Sequence, residues 1–277
     1  MTLRPREVAP GVELFAVRTP TLPPATHTNT FALGAREIVL VEPATPYDDE
    51  RAEWLAWARA MKTSGRTVVG IVATHHHLDH GSAAGFFARA LDLPLLAHRE
   101  TIDRLADLQG VELRELHDGE SLVLDGPSPR TWIALHTPGH APGHVCLHDP
   151  DGRTLVAGDM VANGSTILIA PDDGGDMRAY LEQLARLDAL GTTTVLPAHG
   201  EPIDDPHALF SYYIAHRLKR EAKILDAYRA LRRELGRSPD ARELVPRAYD
   251  DTPPHLWPLA RGAVEAHLIK LRAEGLV

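Results

Sequence analysis

The chain of 277 residues is 44% hydrophobic and 24% charged, with a formal net charge of −9. That suits one large soluble domain, or a domain with an appendage, and excludes a disordered or strongly cationic protein. The single cysteine, Cys146, excludes a disulfide framework; no apolar run approaches a bilayer span, and Met1 to Arg6 lack the apolar stretch of a signal peptide, so a cytoplasmic location without a membrane partner is expected.

Residues 11–18 and 30–41 read as strands, the second broken by a hairpin turn at Gly34-Ala35-Arg36. Residues 47–64 form an amphipathic helix with Trp54, Leu55, Ala58 and Met61 on one stripe, ended by Gly65. The β-branched, apolar run 68–73 is a buried strand. Directly after it, Thr74-His75-His76-His77-Leu78-Asp79-His80-Gly81 packs four imidazoles and a carboxylate into six positions. This cluster is expected in a loop, and Gly81-Ser82-Ala83-Ala84 behind it offers a loop and then an N-cap for a helix through Leu91. His75 and His77, two apart, turn to the same side of an extended segment, and His76 points away. Neutral imidazole and carboxylate are ligands that a borderline cation such as zinc prefers. An internal position between strand and helix argues against a mere histidine-rich surface tract.

Further strands are expected at 95–98, 121–124, 131–136, 145–148, 154–157 and 192–196, with helices at 99–108 and 176–190. Cys146 falls inside an apolar strand and is read as core rather than catalyst. Strands with interspersed helices suit two sheets between helical layers, although periodicity alone gives only α/β or α+β. From residue 205 the pattern turns helical: Pro206 opens a helix running through Phe210, Ile214, Leu218, Ile224, Leu225 and Leu231 to Gly236. Ser238-Pro239 opens a second helix, Thr252-Pro253 a third, and residues 261–274 a fourth. A boundary near 205 therefore divides a domain of residues 1–205 from a module of residues 206–277. Residues 1–210 carry 16 Lys+Arg against 29 Asp+Glu, a balance of −13, while 211–277 carry 13 against 9, a balance of +4.

The His-X-His-X-Asp-His spacing of residues 75–80 resembles the signature of the metallo-β-lactamase fold hydrolase superfamily. Thr137-Pro138-Gly139-His140, Ala157-Gly158-Asp159 and Leu196-Pro197-Ala198-His199-Gly200 resemble its downstream ligand motifs, in order. The resemblance implies an α+β fold, the αββα sandwich, here followed by a winged-helix-like module. It implies that His75, His77 and His140 hold one metal, Asp79, His80 and His199 a second, and that Asp159 bridges them. Two Zn2+ per chain, or iron or manganese by substitution, would share a hydroxide as nucleophile, with Asp79 as the catalytic carboxylate that orients it. Glu42-Pro43 stands where relatives often show an Asp near a Gly, which is a departure from the pattern.

His140-Ala141-Pro142-Gly143-His144 resembles the metal-histidine loop of glyoxalase II-type enzymes, making His144 a candidate to contact substrate or to support a ligand. Gly158-Asp159-Met160-Val161 and His216-Arg217 resemble the lactamase-β-like branch, which includes an endoribonuclease and thioester-cleaving relatives. Class B β-lactamases are disfavoured, since they lack a bridging carboxylate where Asp159 stands. Tyr212, Tyr213 and His216, on the helix after His199, are candidates to shape substrate access. The reading that follows is a binuclear zinc hydrolase acting on a small-molecule thioester or ester, as monomer or homodimer. The alternatives are a single-stranded RNA endonuclease and, from another class, a nucleic-acid-binding regulator with a structural or sensory metal.

Overall fold

The computed structural model describes residues 4–277; residues 1–3 of the N-terminal segment read above lie outside it. Seven strands, β1 (Arg6–Ala9), β2 (Val12–Arg18), β3 (His27–Leu33), β4 (Glu37–Val41), β5 (Thr67–Val72), β6 (Leu95–Ala97) and β7 (Leu113–Glu115), form one sheet in sequence order. Pairing is antiparallel from β1 to β4 and parallel from β4 to β7. A second sheet takes β8 (Ser121–Leu124), β9 (Arg130–His136), β10 (Val145–Asp149), β11 (Thr154–Gly158) and β12 (Thr194–Pro197), in the order β12-β11-β10-β9-β8.

Leu14, Phe31 and Val72 of the first sheet share one buried cluster with Trp132, Val145 and Leu196 of the second, so the sheets pack face to face. The other face of the first sheet is covered by helix α1 (Asp48–Thr63) and, beyond the single turn α2 (Leu78–Gly81), by α3 (Ala84–Leu91). Trp54 anchors that layer, fully buried with its ring centroid 4.0 Å from that of Phe87; truncating such a side chain to alanine costs about 3–5 kcal/mol. The short α4 (Arg99–Ile102) completes this set of helices.

By compactness the chain divides into two units, the first of residues 1–137, 143–165 and 191–206, the second of 138–142, 166–190 and 207–277. The second unit holds α5 (Met177–Asp188), α6 (Pro206–Leu235) from His207 on, α7 (Ala241–Ala248) and α8 (Trp257–Ala273). Ile224, Tyr228, Leu244, Val264 and Leu268 form its core. None of the described helices is long and apolar enough to cross a membrane.

Several local expectations are corrected. Asp79 and His80 sit on a helical turn rather than in a loop. The N-cap position of α3 is Ala83, with no side-chain hydrogen bond. The helix expected over 99–108 stops at Ile102. The third and fourth C-terminal helices are one: a 3-10 turn at Pro254–Leu256 leads into α8, whose Pro258 is tolerated because it falls in the first turn. On α6 the buried stripe is Phe210, Tyr213, Arg217, Glu221, Ile224, Tyr228 and Leu231, while Leu218 is 47% exposed. The apolar residues there misled the choice of face, because two charged side chains occupy inward positions.

Candidate metal centre

Parallel pairing of β4 with β5, in a register that sets Val41 against Val72, brings Glu42 beside Thr74 at the strands' C-terminal ends. Glu42 is fully buried and has a φ of 65°, a backbone that costs a non-glycine residue about 1–2 kcal/mol. It is fixed there by Thr74, whose hydroxyl donates to Glu42 Oε1 at 2.6 Å. Having donated its one proton, that hydroxyl accepts from His75 Nδ1, 3.0 Å away, so the neutral ring carries its lone pair on Nε2. His75 Nε2 lies 3.0 Å from His77 Nδ1.

On α2, His80 Nδ1 donates to Glu42 Oε1 at 3.1 Å. The loop after β12 carries His199, whose Nδ1 donates to the His27 carbonyl at 3.0 Å. Asn29 Nδ2 braces this loop by donating to the carbonyls of Pro197 and Gly200, at 2.9 and 2.7 Å. With both Nδ1 atoms engaged, His80 and His199 turn Nε2 toward the same two carboxylates. His80 Nε2 lies 3.7 Å from Asp79 and 3.5 Å from Asp159, and His199 Nε2 lies 3.5 Å from each. One donor atom from each of Asp79, His80 and His199 lies within 4.8 Å of the others.

Asp159 is set at the end of β11 by His144. That ring is fully buried; its Nδ1 lies 2.8 Å from Thr137 Oγ1 and its Nε2 accepts from the Asp159 backbone N–H at 3.0 Å. The approach requires Gly158, which has a φ of 49° and where an added Cβ would stand 2.5 Å from His144 Nε2. His140 belongs to the second unit, where its Nδ1 donates to the Leu168 carbonyl at 2.9 Å, again leaving the lone pair of a neutral ring on Nε2.

A metal fits these residues on the structure's own terms. His80 Nε2 is buried without a hydrogen-bond partner while facing two carboxylates, the arrangement a cation resolves. Burial pushes the Asp79 carboxyl up, but the His80 and His199 imidazoles outweigh it and hold the group well below the usual carboxylate range. Burial likewise pushes His80 down, and Asp159, Asp79 and Glu42 overcome it and raise it well above its ordinary value. His199 is raised against burial chiefly by Asp159, then by Asp79. Three carboxylates converge on a site where the protein offers only imidazoles; a divalent cation supplies the missing positive charge.

Of the remaining candidates, Tyr213 is buried in the second unit, and Tyr212 is 56% exposed with its ring stacked on His216 at 5.9 Å. The His216 pKa is lowered by burial and then by Arg217 and Arg220. Cys146 is buried in β10, its Sγ 3.4 Å from the Ala157 carbonyl, as a core thiol. Sequence reasoning had no role for Thr74 and left Glu42 as a departure; the available signal was a carboxylate directly after a buried apolar strand.

Residues 23–199 match the family described as the Metallo-beta-lactamase superfamily, and residues 241–277 match the Beta-lactamase associated winged helix domain. The chain is similar to the Beta-lactamase-like protein 2 homolog of Drosophila melanogaster, 28% identical over 90% of this chain and 83% of that one. It is similar to the Atrochrysone carboxyl ACP thioesterase of Aspergillus chevalieri, 28% identical over 75% of this chain and 62% of that one. Among solved structures, a metallo-beta-lactamase family protein of Thermus thermophilus superposes with a TM-score of 0.72 at 25% identity, covering 96% of this chain and 94% of that one. A protein crystallised in a di-iron-bound form superposes with a TM-score of 0.53 at 28% identity, covering 71% of this chain and 98% of that one.

Proposed function

The chain belongs to the metallo-beta-lactamase superfamily and is a metal-dependent hydrolase; from that premise we propose that it is binuclear, binds zinc, and cleaves an uncharged acyl thioester or ester. The observation that carries this reading is the convergence of His80 Nε2, buried without a hydrogen bond, and His199 Nε2 on the same two carboxylates, Asp79 and Asp159. His75, His77 and His140 would hold one cation, Asp79, His80 and His199 the other, with Asp159 serving both. When bound, the cations supply Lewis acidity toward the acyl oxygen and lower the pKa of water. The protein's own groups do the rest. Glu42 and the His27 carbonyl lock the tautomers of His80 and His199, and Asp79 orients the attacking water and takes its proton. The di-iron form of a similar protein supports iron as the alternative occupant.

The thioester reading is supported by a relative named a thioesterase and by where the chain spends its cations. The dense basic run 217–223 is largely consumed inside its own unit. Arg217 is buried, Arg220 pairs with Asp251 at 3.0 Å, and Lys223 pairs with Asp250 and Asp251 at 2.6 and 3.0 Å. That leaves the exposed Lys219, too little for a phosphate track. A reducing, cytoplasmic setting agrees with the single buried thiol. Protein purified without chelator should hold about two equivalents of zinc, iron or manganese and turn over a thioester in a panel of thioesters, esters, lactones and single-stranded RNA. Metal-free protein that takes up none on reconstitution would sink the reading.

A further inference from the structure

We propose that Arg217 is a positioning residue for the metal ligand His140, acting through the backbone of Ile167 and Leu168. Arg217 occupies the inward stripe of α6 at 5% exposure, yet among the described residues its guanidinium pairs with no carboxylate. One Nη2–H donates to the Ile167 carbonyl, and Nε is buried without a hydrogen bond. A charge buried in this way is a poor choice for stability, where an apolar side chain of similar volume serves as well or better. What the guanidinium holds accounts for it.

The Ile167 carbonyl shares a rigid peptide plane with the Leu168 nitrogen, so gripping it fixes the frame from which the Leu168 carbonyl projects. That second carbonyl accepts from His140 Nδ1 at 2.9 Å. It selects the tautomer and sets the ring plane of His140, which are the two properties a metal-ligating imidazole needs from its surroundings.

Arg217 also braces the other side of the same loop. Its Cζ lies 5.4 Å from the centroid of the Tyr180 ring. Gly139, next to the ligand, packs so closely on the Tyr180 backbone that an added Cβ would stand 2.4 Å from its N and Cα. The Gly139 carbonyl accepts from the Asp176 N–H at 2.8 Å, at the N-terminus of α5. One side chain thus touches both the segment that orients the His140 ring and the helix that seats its backbone. All these residues lie in the second unit.

The inference rests on His140 being a metal ligand, as proposed above. The experiment is stepwise chelator competition on the full chain loaded with zinc, together with the electronic spectrum of the cobalt-substituted protein, for wild type, Arg217→Met, His140→Ala and the double variant. Arg217→Met should weaken one metal step by about 10–100-fold, leave the other unchanged, and alter the cobalt spectrum, while the metal-free protein melts near the wild-type temperature. Because the two residues act on one ligand, the double variant should bind metal no more weakly than His140→Ala alone. If Arg217→Met does not fold, Arg217→Gln, too short to reach the Ile167 carbonyl, is read in the same way, and Arg217→Lys should bind metal between it and wild type. Wild-type affinity and spectrum in the folded variants, or additive losses in the double variant, overturn the proposal. If wild type binds metal but cleaves no thioester, only the substrate reading fails and the affinity comparison still decides the role of Arg217; if it binds no metal, both fall.

Discussion

Glu42 Oε1 and His80 Nδ1 lie 3.1 Å apart with both side chains completely shielded from solvent, though 38 residues separate them in sequence. The carboxylate does two things at once: it accepts from Thr74 and from His80, and its charge makes the imidazole a stronger base at Nε2.

Glu42→Gln keeps the shape and one acceptor but removes the charge. It should weaken metal binding at the Asp79, His80 and His199 set by about 10–100-fold. Glu42→Ala leaves Thr74 Oγ1 and His80 Nδ1 without their buried acceptor and should cost about 3 kcal/mol of stability as well, at 1–3 kcal/mol per orphaned group. Chelator competition and urea unfolding separate the two effects. Wild-type affinity in the glutamine variant would show that Glu42 is only structural.

Gly158→Ala tests the support under Asp159. The new Cβ meets His144 Nε2 at 2.5 Å and sits on a backbone of positive φ. A loss of about 2 kcal/mol from the backbone alone, with metal content reduced, is expected from thermal melting and elemental analysis. An alanine variant as stable and as metal-rich as wild type would mean the His144 ring moves aside without consequence.

The ligand motifs were legible because each is local: histidines two apart after an apolar run, or a short Gly-containing segment after a strand. Their grouping at strand ends follows from sheet pairing, and the strands themselves were legible from β-branched runs. The edge strands β1 and β7, of four and three residues, are too short and too mixed to carry a period. Glu42 was illegible as a partner of His80, since the contact depends on the parallel register of β4 with β5. Arg217 was hidden for a different reason. The 3.6-residue stripe through Phe210, Tyr213, Ile224 and Tyr228 runs through Arg217 and Glu221, but a pattern built on apolar residues passes over charged ones, which as a rule face solvent. A charge at an inward helical position was the signal.

Acid should loosen the second unit at α7. Arg237 hydrogen-bonds the Glu243 carboxylate, and the Asp240 backbone N–H at the start of α7 adds to it, together holding the Glu243 pKa down to about 2 from 4.5. A carboxyl whose folded pKa is depressed contributes stability that is fully present above its unfolded value and disappears as pH falls through the folded one. The window is therefore from 4.5 down to about 2. Urea midpoints measured at pH 5 and pH 3 should fall more for wild type than for Glu243→Gln. Equal falls would show that the capping carboxylate does not contribute to acid sensitivity.

The substrate class is separable by salt. A phosphodiester brings negative charge to a chain whose first 210 residues already carry a balance of −13, from 16 Lys+Arg against 29 Asp+Glu. Binding it would need exposed cations, but Arg220 and Lys223 are held by Asp250 and Asp251, and Arg217 is buried. Activity resting on exposed basic side chains would fall steeply as salt rises, because each phosphate contact releases counterions. An uncharged thioester needs only polarisation of its carbonyl and a short-range acyl contact, which salt screens little. Turnover of a neutral thioester by the zinc-loaded protein should thus stay within about twofold between roughly 50 and 500 mM salt, since no long-range charge steers it. His77→Ala should abolish that turnover. Salt-sensitive cleavage of single-stranded RNA, lost in the same variant and unaccompanied by thioester hydrolysis, would instead assign the centre to phosphodiester chemistry.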